Sequence, residues 1–252
     1  WGQEGVCTIN VSGSLLMEVR AWRNGSIGID AGPSAIIKNC TAQQNLMGIL
    51  VGNNGMLFES TVQENNGIGF MVGNGAIMTG CTSGQNTAEG VVAGTGSTIT
   101  GCSSRANILD GFRLDYGCTI TSSSAAFNGR DGFFASGSGV SIRGCTAEAN
   151  TIDGIRALSD CVIKDNTCDS NGYGSGDGAG IHTLGTHNRV EPNHVSDSDR
   201  GIQVEGTANL IIRNTLSGNA IQVLIPPGNL TGTVVSTETA LNAANGNSNV
   251  VY

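Results

Sequence analysis

Glu89, Asp110, Asp131 and Asp153 stand one repeat apart, each directly before a glycine. Three residues after the second, third and fourth of these acids come Arg113, Phe134 and Arg156, and the next copy carries His182 at the same place. Carboxylates stacked at the ~4.8 Å spacing of neighbouring strands repel one another unless a cation lies among them. The four acids are therefore candidate oxygen ligands for calcium, which prefers such cages. The arginines beside them could neutralise the acid group of a bound substrate, His182 is a candidate proton acceptor, and Phe134 offers a face on which a sugar ring could stack. The period breaks between Asn171 and Gly180, where GYGSGDGAG adds about five residues. Such an insertion forms a loop on one flank, and it makes Tyr173 and Asp177 candidate substrate contacts. A plainer reading stands beside these: aspartate before glycine is an ordinary turn residue, and nearby arginines balance acids.

These residues fall into register because the whole chain repeats. Gly48, Gly69, Gly90, Gly111, Gly132 and Gly154 recur every 21 or 22 residues, and Asn45, Asn65, Asn86, Asn107, Asn128, Asn150 and Asn171 every 20 to 22. A leucine-rich repeat of similar length would need several leucines per copy and a helical half. Here glycine makes up 39 of 252 residues and helix formers are scarce. Each copy instead holds two short alternating stretches, Gly-Phe112-x-Leu114 in one position and Ile142-x-x-Cys145-x-Ala147 in the other, which read as strands with one side in. One coil turn per copy follows, with successive copies stacked as parallel strands in roughly nine to ten turns. The pattern predicts Phe112 and Phe133 stacked on adjacent turns. It also predicts the asparagine column turned inward as an amide ladder serving turn geometry rather than sugar binding.

Asn-x-x-x-Gly-Ile49-x-Val51 with its following Cys-Thr-Ala resembles the repeat of right-handed parallel β-helix proteins. The stretch GIHTLGTHNRVEPNHVSDSDRGIQVEGTANLIIRN, residues 180–214, resembles the last turns of a large bacterial group of them. The resemblance covers about residues 5–225, and it implies an all-β solenoid over 1–225 followed by a tail or cap over 226–252. The superfamily includes pectate lyases, polygalacturonases, alginate epimerases, phage tailspikes and adhesins, so it implies polysaccharide as a partner without choosing an activity. The leading expectation is a carbohydrate-binding or structural protein. The enzymatic alternative is a pectate-lyase-like lyase or epimerase acting on uronate-containing polysaccharide. In that case Arg113 or Arg156 would serve as base in a site that lowers its pKa, with His182 the less demanding choice. The Asp-Pro-His pattern of alginate epimerases is absent. No leader precedes Trp1, which reads as a trimmed chain, so secretion or a cell-surface location is an expectation from the resemblance.

Composition narrows the partners. Net charge is −8 and lysine occurs only at Lys38 and Lys164, which argues against nucleic acid or an anionic membrane as partner, and no run is apolar enough to insert in a bilayer. The eight cysteines are read as small buried thiols. Cys81 and Cys102 fall on adjacent turns, but parallel Cβ vectors ~4.8 Å apart exceed what a disulfide wants. The column Thr41, Thr61, Thr82, Ser103 raises ice binding as a remote alternative, but its partner column is broken by Lys38, Phe58, Arg143 and Lys164. No capping helix precedes the first turn, so the expectation is either a lost cap or end-to-end association.

Overall fold

A computed structural model describes residues 5–172, 176–236 and 246–252. Its described residues contain strands and turns but no helix, wound into a right-handed parallel β-helix of about eleven turns. The count exceeds the expected nine to ten because the irregular first turn, with strands Val6–Thr8, Leu15–Met17 and Arg20–Trp22, is fully paired to the second. Pairing also runs on at the other end. Leu230–Thr231 joins Leu210–Ile211, and Asn249–Val251 joins Thr215–Ser217.

Each turn carries three strands rather than two, so three parallel sheets run the length of the coil. In the central turn these are Phe112–Leu114, Thr119–Thr121 and Ser124–Ala126, paired to Phe133–Ala135, Ser141–Arg143 and Thr146–Glu148. The stretch read as a single strand from Ile142 to Ala147 is broken at Gly144, whose φ of 57° is left-handed. The same corner is left-handed at Asn39, Glu59, Gly80, Gly101, Ser122 and Asp165. One residue in that conformation reverses the alternation, so the residue after it points inward as well. This is why Cys40, Ser60, Cys81, Cys102, Ser123 and Cys145, each next in sequence, line the inside of a corner.

The core is a thin aliphatic file with three phenylalanines, Phe70, Phe112 and Phe133, fully buried in the first sheet. Phe112 and Phe133 stack with centroids 5.1 Å apart and planes 4° from parallel, as expected. Seven of the eight free thiols are buried. Cys7 is the exception to the reading of all eight as buried: it is the middle residue of Val6–Thr8, in register with Asp30, and is exposed.

The asparagine ladder and the glycine column prove to be one device. Asn128 Nδ2 donates to Asn150 Oδ1 at 2.9 Å, and Asn128 Oδ1 accepts from Asn107 Nδ2 at 3.0 Å. The same amide lies against the glycine of its turn: a Cβ on Gly111 would stand 2.7 Å from Asn128 Nδ2 and 2.6 Å from the carbonyl oxygen of Gly132. The backbone oxygen cannot withdraw without breaking the sheet. Gly111→Ala is therefore expected to destabilise by about 2–3 kcal/mol, the upper range for overpacking. The effect would be read as a lower urea midpoint at unchanged slope. An unchanged midpoint would show that the ladder yields to a methyl group without strain.

Candidate functional site

The first sheet places the candidate residues. Arg113, Phe134, Arg156, His182 and Gln203 are in register on five successive strands, with their side chains on the outer face. The acids lie one corner upstream and are not a surface ladder. Asp110, Asp131 and Asp153 are at most 1% exposed and Glu89 is 8% exposed. They sit inside because the backbone of the following turn needs acceptors there. Asp110 Oδ1 accepts from Asp131 N at 3.2 Å, Asp131 Oδ1 from Asp153 N at 3.1 Å, and Asp153 Oδ1 from Ala179 N at 2.8 Å. Each aspartate thus caps its neighbour's turn rather than its own.

Each acid also faces a cation. Glu89 lies 3.4 Å from Arg113, Asp110 3.8 Å from Arg130, and Asp131 3.6 Å from Arg156. Asp153 Oδ2 lies 3.0 Å from His182 Nδ1, while His182 Nε2 lies 3.1 Å from Glu205 Oε1. Arg130 and Glu205 escaped the sequence reading. Arg130 immediately precedes Asp131, which was the available signal. Glu205 lies just past the strand Arg200–Val204, and nothing in the repeat marks it.

The electrostatics follow from this crowding. Burial, then the flanking Asp153 and Asp110, pushes the Asp131 carboxyl up to about 7, and burial also raises Asp110. For His182, burial alone would favour the neutral ring, but the Asp153 and Glu205 carboxylates outweigh it and raise its pKa. With an acid at each ring nitrogen, the imidazolium is the form that satisfies both contacts.

The outer face above this stack is a shallow groove. At one end a depression of about 370 Å³ is lined by Asp153, Arg156, Asp177, His182, Leu184 and Glu205. At the other, a depression of about 420 Å³ includes Met71, Val92, Arg113 and Asp115. Phe134 lies between them, half-buried, with the Arg156 guanidinium 5.3 Å from its ring centre, so one face is already occupied. Asp177 is brought to the site, where it pairs with Arg200; Tyr173 lies outside the described residues. Glu89, Asp110, Asp131 and Asp153 contribute one carboxylate per turn, and among the described residues no three His, Cys, Asp or Glu side chains converge as ligands of one ion.

The comparisons with known proteins agree with this architecture. Residues 60–251 match the model of the family described as right handed beta helix region. Among solved structures, the A-module of mannuronan C-5 epimerase AlgE6 from Azotobacter vinelandii superposes with a TM-score of 0.65 at 15% identity, covering 96% of this chain and 79% of that one. The Dettilon tailspike protein gives a TM-score of 0.59 at 14% identity, covering 99% of this chain and 58% of that one. The catalytic domain of a GH87 alpha-1,3-glucanase, in complex with tetrasaccharides, gives 0.58 at 11% identity, with 99% and 56% covered. No curated protein sequence matches the chain significantly. With the family model spanning most of its turns, the chain belongs to the right-handed β-helix family.

Proposed function

We propose that the groove on the first sheet binds an acidic polysaccharide, laid along the coil axis across successive strands. One observation carries this: Arg113, Arg156 and His182 point to the outer face in one register row, with Phe134 between the two arginines, and each is anchored from behind by an acid of a neighbouring turn. Such anchoring fixes where the cations lie and leaves the outer edges of both arginines for a ligand, since the Arg113 side chain is 49% exposed and that of Arg156 27%. Polysaccharide acid groups would meet this row, and ring faces would meet the edge of Phe134. The similarity to a mannuronan C-5 epimerase is in keeping with an acidic polymer, and that to an alpha-1,3-glucanase with a carbohydrate ligand more generally. A polymer of that kind places the protein's work at the cell surface or outside the cell.

Binding is favoured over catalysis because His182 has neither ring nitrogen free. A base for proton abstraction needs an unoccupied nitrogen within reach of the substrate. The arginines, paired with acids, serve as cations. A second reading, lyase or epimerase chemistry, rests on Glu205, whose side chain is 53% exposed and alone holds His182 Nε2. If substrate displaced Glu205, that nitrogen would face the groove. Calorimetric titration with oligogalacturonate or oligoalginate tests the binding reading. Arg156→Gln is expected to weaken affinity at least tenfold, the order lost with one charged hydrogen-bonding group. Equal affinity of the variant and the wild-type protein would overturn it. Appearance of the ultraviolet absorbance of unsaturated product, abolished in His182→Ala, would replace binding with catalysis. Adding calcium to the same titrations decides whether the ion has any part.

A further inference from the structure

The outer face of the third sheet carries a second groove, separate from the acid-backed one. Its strands Arg20–Trp22, Thr41–Gln43, Thr61–Gln63, Thr82–Gly84 and Ser103–Arg105 lie side by side. One outward column is Trp22, Gln43, Gln63, Gly84, Arg105; the other is Arg20 followed by the hydroxyls of Thr41, Thr61, Thr82 and Ser103. The break at Gly84 opens a depression of about 400 Å³ between Gln63 and Arg105. A second of about 430 Å³ lies over Trp22, Thr41 and Gln43.

Two observations distinguish this face from ordinary solvated sheet. First, the backbone does not need a glycine at position 84. Its φ is not left-handed, and a Cβ there would meet only the Arg105 carbonyl oxygen at 3.5 Å, an ordinary contact. This contrasts with the Gly111 column, where a Cβ would collide with backbone. Gly84 keeps a space open that the fold itself would allow to be filled. Second, the arginines here lack acid partners. On the first sheet Arg113, Arg156 and Arg200 each pair with a carboxylate. Among the described residues Arg20, Arg23 and Arg105 have no carboxylate within ion-pairing distance, in a chain of net charge −8. Arg23 instead lies 4.3 Å from the Trp22 ring centre and Arg105 4.9 Å from that of Phe127. An aromatic face orients a guanidinium while leaving most of its donors open. The carboxylate of Glu64, directly after Gln63, is already engaged by the amides of Gln43, Gln44 and Gln63.

We infer that this face is an independent binding site for an acidic glycan strand, whose acid groups meet Arg105 and Arg20 and whose hydroxyls meet the Gln63, Gln85 and Thr82 side chains, with one ring seated over Gly84. From Arg20 to Arg105 the groove crosses four strand intervals, roughly 19 Å, enough for an oligosaccharide of several residues. The protein would then hold polymer on two faces at once and gain avidity for a matrix. The site stands or falls separately from the first-sheet groove.

The test is calorimetric titration of hexagalacturonate and of its neutral methyl ester into wild-type, Arg156→Gln, Gly84→Gln and doubly substituted protein, with melting temperatures alongside. The Arg156→Gln protein should still bind hexagalacturonate. Adding Gly84→Gln should weaken that remaining binding at least tenfold without moving the melting temperature, and the ester should bind at least tenfold more weakly than the acid. Arg105→Gln should reproduce the loss. If Arg156→Gln alone abolishes all binding, or Gly84→Gln leaves the remaining binding intact, the third-sheet site is overturned. Equal binding of ester and acid would overturn the assignment to arginine. If Gly84→Gln removes all binding and Arg156→Gln none, the third-sheet site stands and the first-sheet groove falls.

Discussion

Asp131→Asn should be more stable than the wild-type protein at pH 8 and indistinguishable from it near pH 3. Asp131 is fully buried between Asp110 and Asp153, and its carboxyl is pushed up to about 7 from an ordinary 3.8. Folding therefore favours its protonated form. Between pH 3.8 and about 7 the unfolded chain has released a proton that the folded chain retains, so stability falls as pH rises through that window and levels off above it. At about 1.4 kcal/mol per pH unit the window corresponds to a ceiling of roughly 4 kcal/mol, with the opposing pull of Arg156 already contained in the shifted value. Asparagine keeps the shape and the acceptor that Asp153 N uses at 3.1 Å, and it carries no charge to bury. Chemical denaturation at several pH values would show the variant's advantage opening above pH 4 and reaching a plateau near 7. A variant less stable than wild type by the same amount at pH 4 and pH 8 would show instead that Arg156 holds the carboxylate ionised.

That expectation could not have been framed from the sequence, and the reason is specific. Periodicity tells which residues share a column, because a 21-residue repeat in a coil stacks like on like. It places Arg113, Phe134, Arg156 and His182 in one column, pairs Phe112 with Phe133 and turns the asparagines inward, and the structure agrees. A column, however, has a direction only if the backbone path at its corner is known. The left-handed residues at three corners per turn decide this, and they include Glu59, Ala106 and Phe127 alongside glycines and asparagines. No composition rule marks an alanine or a phenylalanine for that conformation. Hence spacing alone stacks the acids before the glycines but does not show that the corner buries them. Glu205, which completes the His182 contacts, belongs to a column that runs through Gly52, Gly73, Gly94, Asp115, Ser136, Leu158 and Leu184 and gives no repeat signal for an acid there.

The largest loss of stability is expected at Asn128, where one buried side chain holds four hydrogen bonds. Its Oδ1 accepts from Asn107 N at 3.1 Å and Asn107 Nδ2 at 3.0 Å; its Nδ2 donates to Ser104 O at 3.2 Å and Asn150 Oδ1 at 2.9 Å. Asn128→Ala orphans the backbone N–H of Asn107 inside the coil and leaves a gap beside Gly111. Together these should cost about 3–5 kcal/mol. Asn128→Asp separates the two halves of the amide. One oxygen still serves Asn107, but the other now faces two acceptors, Ser104 O and Asn150 Oδ1, and can satisfy them only when protonated. The folded state then favours the neutral acid, so the variant's stability should fall as pH rises above about 4, the ordinary aspartate value. The aspartate variant should therefore recover in part at pH 4 while the alanine deficit stays flat with pH. If Asn128→Asp matched the wild-type protein at pH 7, the ladder would not run with every Nδ2 pointing to the next turn, and the donor that each glycine in the column makes room for would have to be an acceptor instead.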